Sequence, residues 1–284
     1  MIKLACKNIH TGQYLLLFCL KNFFWGNAFL RNFFFSVPRL QFLSLLLLSL
    51  LLPLHSSASE PSPNSKEFTS SSTSHLPLKA FTAKYSAVLN GSKVRGSATR
   101  QLINNANGES IFSFNAKVNI AKLAEESLFH WNQCTPIPKA YNRSLRVFFR
   151  IKKQSIQFDH QKLKVQYTYD KKSGEADIPE NTLDRISLQL ALRCDLKQGK
   201  YEGSYAVFDR KRVKEYQFKT LGEEEIETPI GKLLATKVQL LRKNKNRQTW
   251  LWFSKQHDYL LVKLKQNESS SENLEITISE IEII

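Results

Sequence analysis

The chemistry a sequence can carry is limited first by its nucleophiles, acids and metal ligands. Beyond residue 58 there are four histidines, His75, His130, His160 and His257, each standing alone. No HExxH pair is present to bind zinc, and no serine sits in a nucleophile elbow. Asp159-His160 could pair an acid with a base, but the pair follows a strand pattern and precedes Gln161-Lys162, so it reads as a surface turn. Glu223, Glu224, Glu225 and Glu227 form a like-charged run before a Pro-Gly turn. Such runs mark solvated edges, whereas glycosidic chemistry needs two carboxylates at a fixed separation in a cleft. Gly91 and Gly96 lie inside a hairpin pattern with no helix after them, so they build no phosphate loop. These residues imply no catalytic site, no metal and no cofactor, and an enzyme is the least supported class.

Charge is the more prominent signal. The chain carries a formal charge of +16. Cations concentrate in DRKRVKEY, with Arg210, Lys211 and Arg212, and in LRKNKNRQTW, with Arg242, Lys243 and Lys245. In a cytoplasmic protein this would suggest nucleic acid. The N-terminus argues against a nucleic-acid partner and for anionic lipids or cell-wall polymers, which basic patches attract in a salt-dependent way. Basic side chains that decorate the solvent side of hairpins and blunt exposed edges are an equal alternative.

Leu40 to Leu54 is a leucine-dominated run preceded by Arg39 and followed by a small-residue stretch. That is the outline of a secretory signal at residues 37–58. Ser56 and Ala58 fit the minus-three and minus-one positions, which places cleavage between Ala58 and Ser59 and predicts a periplasmic product. The alternative is an inner-membrane anchor through residues 37–54. Residues 1–36 are apolar and aromatic rather than short and basic, and they are expected to lie upstream of the true translation start. Removing residues 1–58 takes away five basic and no acidic residues, which lowers the formal charge to +11. Residues 59–77 are rich in Ser, Thr and Pro and nearly free of aliphatics, which predicts a disordered leader. Residues 78–284 are then one domain. Cys134 and Cys194 remain as an even pair, compatible with one disulfide or with two buried thiols.

From Tyr85 onward apolar residues recur at every second position, as a half-buried strand requires. The pattern is clear at Phe112-Phe114-Ala116-Val118, Leu145-Val147-Phe149-Ile151, Leu163 to Tyr169, Leu234 to Leu240, Trp250-Trp252, Leu260 to Leu264 and Leu274 to Ile278. Short turn-like links favour antiparallel neighbours. A meander of roughly ten strands should curl into a bent sheet or half-barrel. Residues 181–199 are the exception and read as one helix, with Leu183, Ile186 and Leu190 on one face, Asn181 as its cap and Gly199 as its stop. The fold class is therefore mainly β, a large curled antiparallel sheet or half-barrel with one helix packed against it.

The segments YSAVLNGSKVRGSATR, SLF, IQFD, LDRISLQLALR, TPIGKLLATKV and TWLWFSKQHDYLLVKL, spread over Tyr85 to Leu264, resemble a family of exported bacterial envelope proteins, domain of unknown function 3108. The resemblance implies export and an open half-barrel similar to that of lipoprotein-carrier proteins, and it brings no assigned reaction. Leu260-Leu261-Val262 lacks a proline that the family typically shows, which bears on where that strand ends.

Two functional readings follow. In the first, the concave sheet holds an apolar or lipid-like envelope component without covalent chemistry, with Phe112, Phe114, Ile186, Leu190, Trp250 and Trp252 lining the site and the helix closing it. In the second, the interior is full and the basic face or a sheet edge docks an envelope protein partner. An empty, helix-lidded pocket favours the first and a filled interior the second.

Overall fold

The computed structural model describes residues 78–89, 94–119, 121–241, 248–267 and 273–284. The signal, the leader and Arg242, Lys243 and Lys245 lie outside the described residues. Fourteen strands and one helix follow in order. The first eight are β1 (Phe81–Leu89), β2 (Val94–Asn104), β3 (Glu109–Val118), β4 (Ala121–Asn132), β5 (Thr135–Val147), β6 (Arg150–Asp159), β7 (Lys164–Tyr169) and β8 (Lys172–Asp177). Helix α1 (Ser187–Lys197) separates them from β9 (Glu202–Asp209), β10 (Arg212–Thr228), β11 (Gly231–Leu241), β12 (Gln248–Ser254), β13 (Leu260–Asn267) and β14 (Asn273–Ile283).

All fourteen strands belong to one antiparallel sheet, in which β1 to β8 and β9 to β14 are two meanders joined where β1 pairs with β14. The two free edges are β8 and β9, and the chain between them carries α1. The sheet stays open because β8 and β9 do not pair. Register shifts at Lys84/Tyr85, Leu128/Phe129, Thr220/Gly222 and Trp252/Phe253 bend the strands, since each inserted residue kinks its strand and increases local twist.

One face of this curled sheet packs on α1 and forms the core. Its rows run across strands in register: Phe81, Leu102, Phe112, Ser127, Tyr141 and Ile156 lie side by side. The next row is Ala83, Arg100, Phe114, Glu125, Arg143 and Gln154. Polar and charged residues thus sit on the packed face, which is why β2 and β4 show no apolar alternation and why fourteen strands appear where periodicity suggests about ten.

Two local expectations are corrected. Leu145 to Ile151 is not one strand: β5 ends at Val147, Phe148 and Phe149 form the turn, and β6 begins at Arg150. The helix also starts at Ser187 rather than near Asn181, whose φ of 55° lies in the left-handed region. Gly199, at φ 77°, does follow its C-terminal end.

Candidate functional site

The helix is fastened at both ends, and each fastening can be traced to a residue type. At the N-terminal end the Asp184 carboxylate accepts hydrogen bonds from the backbone N–H groups of Ile186 and Ser187, both 2.9 Å, and from the Ser127 hydroxyl of β4 at 2.5 Å. Asp184 therefore caps the helix in the place expected of Asn181. Burial raises its pKa, against the opposing effect of those hydrogen bonds. Just before it, Leu183 bridges Val207 in parallel, taking up hydrogen bonds of the β9 edge through Ala206 and Phe208.

At the other end the Arg193 guanidinium lies over the Phe81 ring at 4.8 Å and donates to the Asp258 carbonyl at 3.0 Å. Burial lowers its pKa to about 10, against the pull of Asp258. Lys197 pairs with the Asp258 carboxylate at 2.7 Å. Cys194 is joined by a disulfide to Cys134 in the β4–β5 turn. The helix is thus held by β4, by the β4–β5 turn, by the β9 edge and by the turn between β12 and β13.

Beneath it runs a ladder of alternating charge. Arg143 Nε lies 3.4 Å from Glu125, Glu125 lies 3.5 Å from Arg185, and Arg185 lies 3.4 Å from Asp209. Lys214 closes the series on Asp209. Tyr141 donates to Glu125 at 2.5 Å. This ladder ties β4 and β5 to β9 and β10, the far part of the sheet, through the segment that precedes α1. Burial alone would raise the Asp209 carboxyl, but Arg185 and Lys214 outweigh it and hold it at about 2.

Of the sequence-derived lining residues, Phe112, Phe114, Ile186, Leu190 and Trp252 all belong to one buried cluster, and Trp250 packs against it partly buried. Phe112 packs against Phe81 with ring centroids 6.2 Å apart, and Phe114 lies under Arg100 at 4.9 Å. Trp250 and Trp252 project from the face of β12 opposite Leu251, because successive side chains of a strand alternate. The Trp252 indole donates to Glu224 at 2.6 Å and sits between Lys237 and Lys263. The cavity beside Arg193 at the helix C-terminal end measures about 10 Å³, no more than one water requires.

Among the basic residues, Arg210 turns its guanidinium over Tyr169 at 5.8 Å, and Lys211 and Arg212 are exposed at the β9–β10 turn. Asp159 caps its own turn by accepting from the Lys162 N–H at 2.9 Å, and His160 Nε2–H donates to the Pro138 carbonyl at 2.8 Å. Both side chains are engaged in holding the turn.

The large concavities lie elsewhere. One, of about 520 Å³, is lined by Ser113, Asn115, Glu126, Asn142, Ser155 and Thr168, with Glu125, Arg143 and Gln154 beneath them. The second, of about 540 Å³, runs from Ser97 and Thr99 past Lys117 and Lys122 to Arg146. They share Asn115, Ala124 and Ser144. Strand alternation puts Ala124, Glu126, Asn142 and Ser144 on the face opposite Glu125 and Arg143. Together the two form a trough over the outer face of β2 to β7, floored by small polar side chains and basic at one end. No sequence signal pointed to it, because a trough of Ser, Asn and Thr has the composition of any solvated strand face.

Comparisons with known proteins bear on the fold. The family model described as Protein of unknown function (DUF3108) matches residues 77–277. A beta-barrel-like protein of domain of unknown function DUF1849 from Brucella abortus aligns with a TM-score of 0.51 at 9% identity, covering 73% of this chain and 98% of that one. A putative lipoprotein from Parabacteroides distasonis aligns over 72% of this chain and 96% of that one at 10% identity, but its TM-score of 0.30 is too low to establish a shared fold. No curated protein matches the sequence. Among the described residues no helix is long and apolar enough to cross a membrane.

Proposed function

We propose that this chain, which belongs to the DUF3108 family of proteins of unknown function, is an exported, non-catalytic binding protein of the bacterial envelope that engages its ligand or partner on the outside of a half-barrel. The observation that carries this reading is the pairing of a closely packed core under α1 among the described residues with two joined concavities of about 520 and 540 Å³ on the outer face. An acyl chain placed under α1 would have to displace Leu190, which is fully buried, and Arg193, which is locked to Asp258. The trough needs no such displacement. Its polar floor and basic end suit an extended polar or anionic envelope component, or a segment of an envelope protein, rather than a lipid tail.

The signal at residues 37–58 supports export with cleavage between Ala58 and Ser59, and the Ser/Thr/Pro-rich leader then supplies reach from the point of docking. The Cys134–Cys194 bond agrees with an oxidising compartment.

The reading is tested by filling the trough. Ser144 lies where its two halves meet, so Ser144→Trp should block occupancy while changing stability by no more than about 0.5 kcal/mol, as surface substitutions do. A photo-crosslinker at Asn142 should label an envelope component in cells, and Ser144→Trp should abolish that labelling at unchanged Tm. Labelling that persists in the Trp variant removes the trough from the proposal.

A further inference from the structure

Five hairpin-end positions run in register at one end of the sheet: Gly96, Val118, Ala121, Val147 and Arg150 are successive cross-strand partners from β2 to β6. One residue in from these, on the outer face, Lys117 stands directly opposite Lys122, and Lys122 directly opposite Arg146. Like charges in that relation destabilise a sheet. Arg95 and Arg150 add to the same end, and residues 94–97, 116–122 and 145–152 contain no Asp or Glu to compensate. Beyond this basic row the β5–β6 turn presents two aromatic side chains to solvent. Phe149 is 89% exposed and Phe148 is 51% exposed. Phe148 also adopts φ 52°, a conformation that bulky residues rarely take. Unfavourable repulsion, backbone strain and displayed rings thus coincide at one tip.

From this we infer that the β5–β6 tip and its basic rim dock the protein on an anionic lipid bilayer, with Phe148 and Phe149 entering the interface and Lys117, Lys122, Arg146 and Arg150 facing the phosphates. Charge complementarity selects this occupant. Uncompensated cations ringing an apolar point match a surface that is anionic outside and apolar within, and each cation near such a surface adds to the attraction. A protein partner would have to bring an acidic ring around an aromatic pocket. The rim cations Lys117, Lys122 and Arg146 also line the basic end of the trough, whereas Phe148 and Phe149 belong to the tip alone, so the Phe148/Phe149 variant separates this inference from the proposed function.

The test is co-sedimentation of the chain recovered from the periplasm with vesicles of phosphatidylglycerol and phosphatidylethanolamine, compared with phosphatidylcholine vesicles. Binding should require the anionic lipid and weaken as salt is raised. Phe148→Asn, which suits the left-handed backbone, combined with Phe149→Ser should lower partitioning by about tenfold for each ring removed, at unchanged or higher Tm. Arg146→Gln with Lys122→Gln should lower it on anionic vesicles and remove much of the salt dependence. Absence of binding by the unaltered chain, equal binding by the Phe148/Phe149 variant, or self-association through this tip without vesicle binding would each overturn the inference.

Discussion

Replacing Asp209 by Asn is expected to cost about 3–5 kcal/mol, because removing one partner of a buried ion pair leaves the other charges uncompensated. Asp209 is 1% exposed and stands between Arg185 and Lys214. Without it Arg185 loses one carboxylate, and Glu125, a second carboxylate beside it, already serves Arg143. For a domain of this size the loss corresponds to a fall in Tm of roughly 10 °C. The same group sets an acid limit. Its folded pKa of about 2 lies below the ordinary value of 3.8, so its contribution is present above pH 4 and is lost as pH falls towards 2. That contribution amounts to about 2–3 kcal/mol. Urea titrations at pH 7 and pH 3 should show the native protein weakening at the lower pH and the Asn variant weakening less. Pairing Asp209→Asn with Lys214→Gln should recover part of the loss, since the orphaned cation is then removed.

Breaking the Cys134–Cys194 bond is expected to cost a similar amount. The bond closes a loop with a sequence separation of 60, for which chain entropy gives about 4 kcal/mol. Cys134→Ala with Cys194→Ala should therefore shift the urea midpoint strongly, and reduction of the native protein should produce the same shift. The fastenings at Asp184 and Arg185 do not involve the bond, so the N-terminal end of α1 should keep its amide protection while the end near Cys194 exchanges faster. Uniform loss of protection along the helix would show that the ion pairs contribute less than the geometry implies.

The parts of this fold that were legible in the sequence are those where apolar side chains alone fill the packed face. β3 and β13 alternate, and Leu190 announces the helix, whereas in β11 the expected series fails at Leu234, which is exposed while Leu233 and Ala235 are buried. β2 and β4 were hidden because Arg100, Glu125 and Ser127 occupy inward positions, where periodicity expects aliphatics. A buried ion ladder is invisible to a pattern of hydrophobicity, and it depends on partners far apart in the chain, as Glu125 and Asp209 are. The helix boundary is hidden for a related reason: the cap is Asp184 rather than Asn181, and its carboxylate is held by Ser127 on β4, a partner distant in the chain. Trp252 is buried in the same cluster as Phe112 and Leu190, and its indole bond to Glu224 is a long-range contact that periodicity does not show. The β5–β6 tip was obscured because Val147, Phe149 and Ile151 keep the alternation of a strand while the backbone turns between them.

These differences decide what the helix does. It completes a core in which charged side chains are paired against each other, and Leu183 just before it takes up hydrogen bonds at the β9 edge. The proposed binding surfaces accordingly lie outside, on the trough and the basic tip.

The measurement to make is the native mass of the chain purified from the periplasm of a Gram-negative host, followed by organic extraction of the same sample. A filled interior predicts the bare polypeptide mass with no acyl lipid in the extract, for the native chain and for a Leu190→Glu variant that remains folded. A stoichiometric lipid that co-purifies with the native chain and is lost from the Leu190→Glu variant would contradict it and place the ligand under α1.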